Sequence, residues 1–191
     1  MTRIRISWDW DGTLCDFNGQ SVEEFGAQPR ELTFDCPQRG HIKGDEALWA
    51  HVDTSKTFWT HARVFHGTAE LVALTEPYGH QVVTGCPVTG FERAAAEKTA
   101  KINSLFPNLP VQTCRSKHKV EYMQQPGDIL IDDFVVNIRR WQKAGGYGIY
   151  YKSHKQCLFD LKKALLKQFP EIVPPWKDEF EAEVARLAAA A

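Results

Sequence analysis

No apolar run among the 191 residues is long enough to cross a bilayer, and no apolar h-region follows Met1, which passes through Arg3 and Arg5 straight into an alternating segment. A membrane partner is therefore not expected, and a cytoplasmic setting is. Charge of one sign is also lacking: 23 Lys and Arg against 24 Asp and Glu leave a formal net charge of -1, with no block of like charge. Such a surface does not favour a nucleic-acid polymer, so a small substrate is expected instead. The five cysteines, Cys15, Cys36, Cys86, Cys114 and Cys157, are odd in number, scattered and never spaced as Cys-x-x-Cys. That pattern excludes a disulfide framework and reads as reduced thiols. The seven histidines show no metal-ligand spacing, His61 and His66 coming nearest, and no Gly-x-Ser-x-Gly stands at a strand end. Zinc chemistry and serine-hydrolase chemistry are set aside on those grounds.

What is present suffices for one good core: the chain is 43% hydrophobic, and its length allows one domain with an insertion. Ile4, Ile6 and Trp8 alternate with Arg5 and Ser7, which is the period of a strand, and the strand runs into Asp9-Trp10-Asp11-Gly12-Thr13. Asp9 and Asp11 lie too close for two bare carboxylates, so a cation sits between them or one holds a proton. Gly12 permits a sharp turn, and Thr13 offers a hydroxyl for capping or for a ligand. Residues 15–64 lack regular alternation and carry Pro29, Pro37, Gly19, Gly26, Gly40 and Gly44, which reads as an inserted cap. A short helix over 45–52 is expected to present Leu48 and Trp49. Trp49, Phe58 and Trp59 either stack on a planar ligand such as a nucleobase or make the cap's own core.

From Gly67 the pattern becomes regular. Helices are expected over 68–78, 91–106, 135–144, 156–169 and 178–191, strands over 80–85, 110–114, 129–131 and 147–151, and a short helical or turn segment over 119–124. Alternating strands and helices point to an α/β fold, a parallel sheet covered on both faces. The expected division is a core from 1–14 and 65–170, a cap at 15–64, and a C-terminal helix at 171–191. Ligands of such sheets bind beyond the carboxyl ends of the strands, where Asp9, Asp11, Thr84, residues 114–119, Asp132 and Asp133 can converge. Crowded carboxylates without histidine or cysteine suit a hard cation, Mg2+ by default. With the Thr84 hydroxyl and an ammonium from Lys117 or Lys119, phosphoryl transfer is the reaction class that uses every member.

Asp9-Trp10-Asp11-Gly12-Thr13, Thr84-Gly85, a lysine at 117–119 and the segment 127–133 ending in Asp132-Asp133 resemble, in that order, the four motifs of the haloacid dehalogenase superfamily. The segment 131–149, with Asn137, Trp141 and Gly145-Gly146, is similar to that superfamily's 5'(3')-deoxyribonucleotidase and phage 5'-nucleotidase-like group, which Phe58-Trp59 and Glu97-Lys98 fit loosely. The resemblance implies a Rossmannoid sheet with a small cap after the first strand, and Mg2+-dependent hydrolysis of a small phosphorylated substrate, a nucleoside monophosphate being favoured. It implies Asp9 as nucleophile and Asp11 as general acid and base. The metal would be held by the Asp9 side chain, the Asp11 backbone carbonyl and Asp133, with Asp132 orienting its water shell. Thr84 and the N–H groups of Gly85 and Cys86 would hold phosphoryl oxygens, and Lys119, with Lys117 as competitor, would neutralise charge. Phe58 and Trp59 would contact the substrate, and Phe134 stands where that superfamily commonly has arginine. Asp11 favours a phosphatase over a dehalogenase, because a departing halide needs no proton. Competing readings are a phosphatase of another metabolite, a receiver-type module, which has these elements in the reverse order, and a non-catalytic phosphate-binding protein.

Overall fold

Ile6, Ser7 and Trp8 form the first strand, β1 (Ile6–Trp8), and all three side chains are buried, because this strand is the centre of the sheet rather than a half-exposed edge. The alternation of Ser7 with its apolar neighbours holds without solvent on either side. The Ser7 hydroxyl accepts from the buried Gln81 side chain at 3.1 Å, so two polar groups satisfy each other inside the sheet. The computed structural model describes residues 4–189. After β1 come α1 (Phe17–Phe25), β2 (Thr33–Cys36), β3 (Gly40–Lys43), α2 (Asp45–Thr54), α3 (Thr68–Thr75), β4 (His80–Gly85), α4 (Phe91–Leu105) and β5 (Val111–Cys114). Then follow β6 (Ile129–Asp132), α5 (Val135–Lys143), β7 (Tyr147–Tyr150), α6 (His154–Gln168) and α7 (Lys177–Ala189), and a 3-10 turn over Ser116–Tyr122 links β5 to β6.

The five-stranded sheet has the order β5-β4-β1-β6-β7, and every pairing in it is parallel. The protein is thus α/β, a parallel sheet flanked by helices, as its strand and helix alternation leads one to expect. The chain winds outward from β1 through β4 to β5, then returns to the other side of β1 for β6 and β7. The reversal leaves a crevice at the carboxyl ends of β1 and its neighbours, the usual place for a ligand in open sheets of this kind. Ile6, Trp8, Ile129 and Ile131 point into one cluster with Leu71 and Val72 of α3 and Leu161 and Leu165 of α6. Leu130, turned to the opposite face, packs on Ile138 and Trp141 of α5.

Two elements of the inserted stretch escape the sequence pattern. Helix α1 carries Gly19 in its interior, and it forms because the Asp16 carboxylate accepts from the Gly19 N–H at 2.8 Å and Gly26 closes its end at φ 80°. The hairpin β2–β3 is mostly exposed, so it shows little hydrophobic alternation; Phe34 opposite Ile42 is the pair that faces the interior. Helix α2 follows the expected segment, with Ala47, Leu48 and Val52 buried and Trp49 turned outward. Helix α3 is shorter than its pattern, ending in a 3-10 turn at Glu76–Tyr78, and the tail of the expected last helix, 190–191, lies outside the described residues. Phe180 anchors α7 against Phe159 of α6, ring centroids 5.2 Å apart. No helix among the described residues is long and apolar enough to cross a membrane.

Trp141 joins β6 to α5: it is fully buried, packs with Leu130 and Ile138, and its Nε1 donates to the Asp128 carbonyl at 2.7 Å. Trp141→Ala is expected to cost about 3–5 kcal/mol of stability, read from the urea midpoint. A loss under about 1 kcal/mol would mean that the face of the sheet under α5 is not held as described.

Candidate active site

The carboxyl end of β1 delivers Asp9, and the carboxyl end of the adjacent β6 delivers Asp132 and Asp133. One oxygen from each of these carboxylates lies within 4.8 Å of the others. Backbone contacts hold the two strand ends together: the Asp9 N–H donates to the Ile131 carbonyl at 2.8 Å, and the Asp133 N–H donates to the Thr13 hydroxyl at 3.1 Å. Thr13 therefore spends its hydroxyl on joining the two tips. Gly12 turns between them at φ 75°, with the Asp133 carboxylate so close that a Cβ there would collide with it. Only glycine accommodates both the backbone angle and that approach.

Lys119, buried on the 3-10 turn after β5, places its ammonium 2.5 Å from Asp9 Oδ1 and 2.8 Å from Asp132 Oδ2. Burial alone would push this lysine down, but the charges of Asp9 and Asp132 outweigh it and hold the ammonium protonated. Asp132 is the most heavily bonded of the three: Oδ2 also accepts from Asn137 Nδ2 at 3.0 Å, and Oδ1 accepts from the Phe134 N–H at 2.7 Å. Asp9 Oδ1 accepts from the Trp10 N–H at 2.7 Å. Burial raises Asp9 well above the ordinary carboxylate range; Lys119 opposes this, and the charges of Asp132, Asp11 and Asp133 add to it. Loss of hydration, then the charge of Asp132, pushes Asp133 up to about 6. One ammonium among three carboxylates leaves a negative excess, which is the charge state that a divalent cation relieves. The oxygen set fits a hard ion. Asp9 and Asp133 would hold it directly, and Asp132, bonded to Lys119, Asn137 and the Phe134 N–H, would orient the others.

Asp11 stands apart from that cluster. Its side chain lines the cleft, one oxygen pairs with the Lys98 ammonium, and the other lies 3.8 Å from the Cys15 thiol. The cleft, about 350 Å³, is lined by Asp9, Asp11, Gly85, Cys86, Ser116, Lys119, Asp133 and Asn137, with Phe17, Trp49 and Phe134 on its apolar walls. It adjoins a larger one of about 750 Å³, lined by Trp49, Cys86, Ser116, Arg115 and Lys117 among others.

Several expectations need correction. Phe58 and Trp59 do not reach the cleft: each is 2% exposed, and they pack with Phe17 and Phe25 in the core of the inserted segment. A segment this small needs aromatic mass to fold, and these two residues supply it. The aromatic surface toward the cleft is instead Trp49, 38% exposed, with Phe17 and Phe134. The Cys86 N–H, expected to hold a phosphoryl oxygen, donates to the Cys114 carbonyl at 2.7 Å and so belongs to the sheet. Thr84 is fully buried behind Gly85, its hydroxyl 3.4 Å from Lys98 Nζ. Lys117 is exposed and lines only the outer cleft, so the ammonium among the carboxylates is that of Lys119. Sequence reasoning missed Ser116, whose hydroxyl pairs with Asn137 at the cleft wall, and gave Lys98 no role.

No family model matches the sequence, nor does any curated protein. Among solved structures the chain is similar to a hydrolase from Streptococcus pneumoniae TIGR4, at 16% identity over 86% of this chain and 99% of that one, with a TM-score of 0.46. It is similar also to a haloacid dehalogenase-like family hydrolase from Xanthomonas campestris, at 14% identity over 78% of this chain and 82% of that one, with a TM-score of 0.46. A third is a HAD-superfamily hydrolase, subfamily IA, from Geobacter sulfurreducens PCA, at 16% identity over 84% of this chain and 100% of that one, with a TM-score of 0.45.

A cation entering between Asp9 and Asp133 must displace whatever protons they hold. Because both carboxyls are raised, Mg2+ affinity is expected to fall as pH drops through about 6, where Asp133 takes up its proton, with proton release on binding. Titration calorimetry in buffers of different ionisation enthalpy checks this; an affinity unchanged between about pH 5.5 and 7.5 would mean that these carboxylates are not the ligands.

Proposed function

We propose that the protein is a Mg2+-dependent phosphomonoester hydrolase of the haloacid dehalogenase type, acting through an aspartyl-phosphate on nucleoside monophosphates. The observation that carries this reading is the Lys119 ammonium set between Asp9 and Asp132 with Asp133 alongside, at the mouth of a cleft that Asp11 also lines. Asp9 and Asp133 would hold Mg2+, which would supply neutralisation of charge developing on the phosphoryl group. Everything else falls to the chain's own groups.

Asp9 attacks phosphorus, the ester P–O bond breaks, and Asp11 passes a proton from the Lys98 pair to the departing oxygen. Water then attacks the phosphorus of the aspartyl-phosphate, Asp11 takes the proton from it, and the acyl P–O bond breaks to release inorganic phosphate and restore Asp9. Lys119 balances charge on Asp9 and on the phosphoryl group throughout. The Ser116 hydroxyl, held at the cleft wall by the Asn137 amide, is positioned to orient a phosphoryl oxygen or the water. Asp11 has no use in a dehalogenase, so its presence in the cleft favours the phosphoryl chemistry. The inserted segment covers the cleft through Phe17 and Trp49 and acts as a lid that excludes water.

The nucleotide preference rests on the walls. Trp49, Phe17 and Phe134 offer flat apolar surface to a ring, and the adjoining cleft of about 750 Å³ gives room for a nucleoside. Five free cysteines accord with a cytoplasmic setting, where thiols stay reduced.

The test is a phosphomonoester panel assayed with and without a chelator, with Asp9→Asn as control. Wild type is expected to turn over nucleoside monophosphates best and to stop on chelation, and Asp9→Asn to lose about a thousandfold or more of kcat. Turnover that survives either the chelator or the substitution defeats the mechanism. Better turnover of sugar or polyol phosphates than of nucleotides defeats the substrate assignment alone.

A further inference from the structure

Lys98 carries a charge to the site from a helix rather than a strand end. It is fully buried on α4, its ammonium against the Asp11 carboxylate, and it donates to the Gly85 carbonyl at 2.6 Å and lies 3.4 Å from the Thr84 hydroxyl. The Trp59 ring covers it, with 4.1 Å between Nζ and the ring centroid. A lysine is hardly ever buried so completely unless its charge is paired. Asp11 is gripped from two sides, by Lys98 on one oxygen and by the Cys15 thiol, 3.8 Å from the other. A carboxylate at a cleft wall has two rotatable bonds, and the Lys98 ion pair restricts them.

Helix α4 also fastens the inserted segment. Arg93 donates to the Ser55 carbonyl at 2.6 Å and to the Val52 carbonyl at 2.7 Å, capping the end of α2. Ala94 packs with Leu48, Val52, Phe58 and Trp59, while Ile102, two turns on, packs in the main core. One helix therefore fixes the segment over the cleft and the group that grips Asp11.

Resting on the phosphoryl-transfer reading above, we propose that Lys98 is a positioning residue for proton delivery to the leaving oxygen: it aims the Asp11 carboxyl at the cleft, and the Trp59 ring of the inserted segment keeps it there. The step it serves is the first one. As the Asp9–phosphorus bond forms and the ester P–O bond breaks, the proton held between Lys98 and Asp11 passes through Asp11 to the departing oxygen, which leaves a neutral Lys98 amine until the hydrolytic water returns the proton through Asp11. Phe58 and Trp59 thereby matter to the reaction through packing and not through contact with substrate.

The test compares an alkyl phosphate, whose alkoxide must be protonated to leave, with para-nitrophenyl phosphate, whose phenolate leaves without help. It reads kcat/KM, which counts only the steps through phosphoryl transfer to Asp9. Lys98→Met is expected to lose about 100-fold on the alkyl ester and under about 5-fold on the aryl ester. The variant Lys98→Met/Asp11→Asn is expected to match Asp11→Asn alone on both esters, since Lys98 acts only through Asp11. Removing both charges also leaves neither one buried alone, so the double variant decides the matter if Lys98→Met does not fold. Equal losses on the two esters from Lys98→Met, or a double variant worse than Asp11→Asn, overturn the role of Lys98 and leave phosphoryl transfer standing. Wild-type rates from Asp9→Asn overturn the reading underneath.

Discussion

Asp9, Asp11, Asp132 and Asp133 crowd four acids at the ends of β1 and β6, and the two ammonium groups of Lys119 and Lys98 stand among them to offset their mutual repulsion. Each lysine is buried, and each comes from a different direction: Lys119 from the turn after β5, Lys98 from α4. The arrangement is interdependent. Deleting one member of a buried ion pair strands its partner, at a cost of about 3–5 kcal/mol, whereas pairs that are kept whole contribute little net stability. The charges are therefore better understood as setting positions than as holding the fold, which the apolar clusters on the two faces of the sheet already do.

The two lysines divide the carboxylates by use. Lys119 sits with the group of three that share one small volume, where the proposed cation would bind, and Lys98 sits with the one carboxylate outside it, the proposed carrier of the proton. Asp9 and Asp11 are two residues apart just after β1, yet they stand in different electrostatic settings, Asp9 beside Lys119 and Asp11 beside Lys98. A pair of like groups with unlike surroundings is the usual means of obtaining unlike chemistry from them.

The sheet and its carboxyl-end acids were legible in the sequence because a parallel core strand writes itself as a short apolar run, and Ile129-Leu130-Ile131 before Asp132 is such a run. The inserted segment was legible as an insertion but not in its parts, since α1 depends on one aspartate cap and β2–β3 buries too little to impose a period. Phe58 and Trp59 misled because aromatic residues in a polar stretch look exposed, and only the rings of Phe17 and Phe25, more than thirty residues earlier, bury them. Lys98 did leave a trace. Ala94, Lys98 and Ile102 fall at successive fourth positions of one helix and are all buried, so a lysine in an otherwise apolar stripe marked an inward charge. Trp49 left the opposite one, standing off the stripe of Leu48 and Val52 on α2.

The spacing between Asp9 and the Asp132-Asp133 pair is set by the ladder between β1 and β6, in which Trp8 stands beside Ile131. Neighbouring strands keep about the same separation whatever side chains they carry. The spacing of the carboxylates is thus inherited from main-chain hydrogen bonds, while part of the cleft wall hangs on a segment of unrelated construction whose two ends pair side by side at Cys15 and Val64 and which one helix braces. Evolution could exchange that segment, or a designer graft another, and retune what is recognised while the reacting centre stays in register.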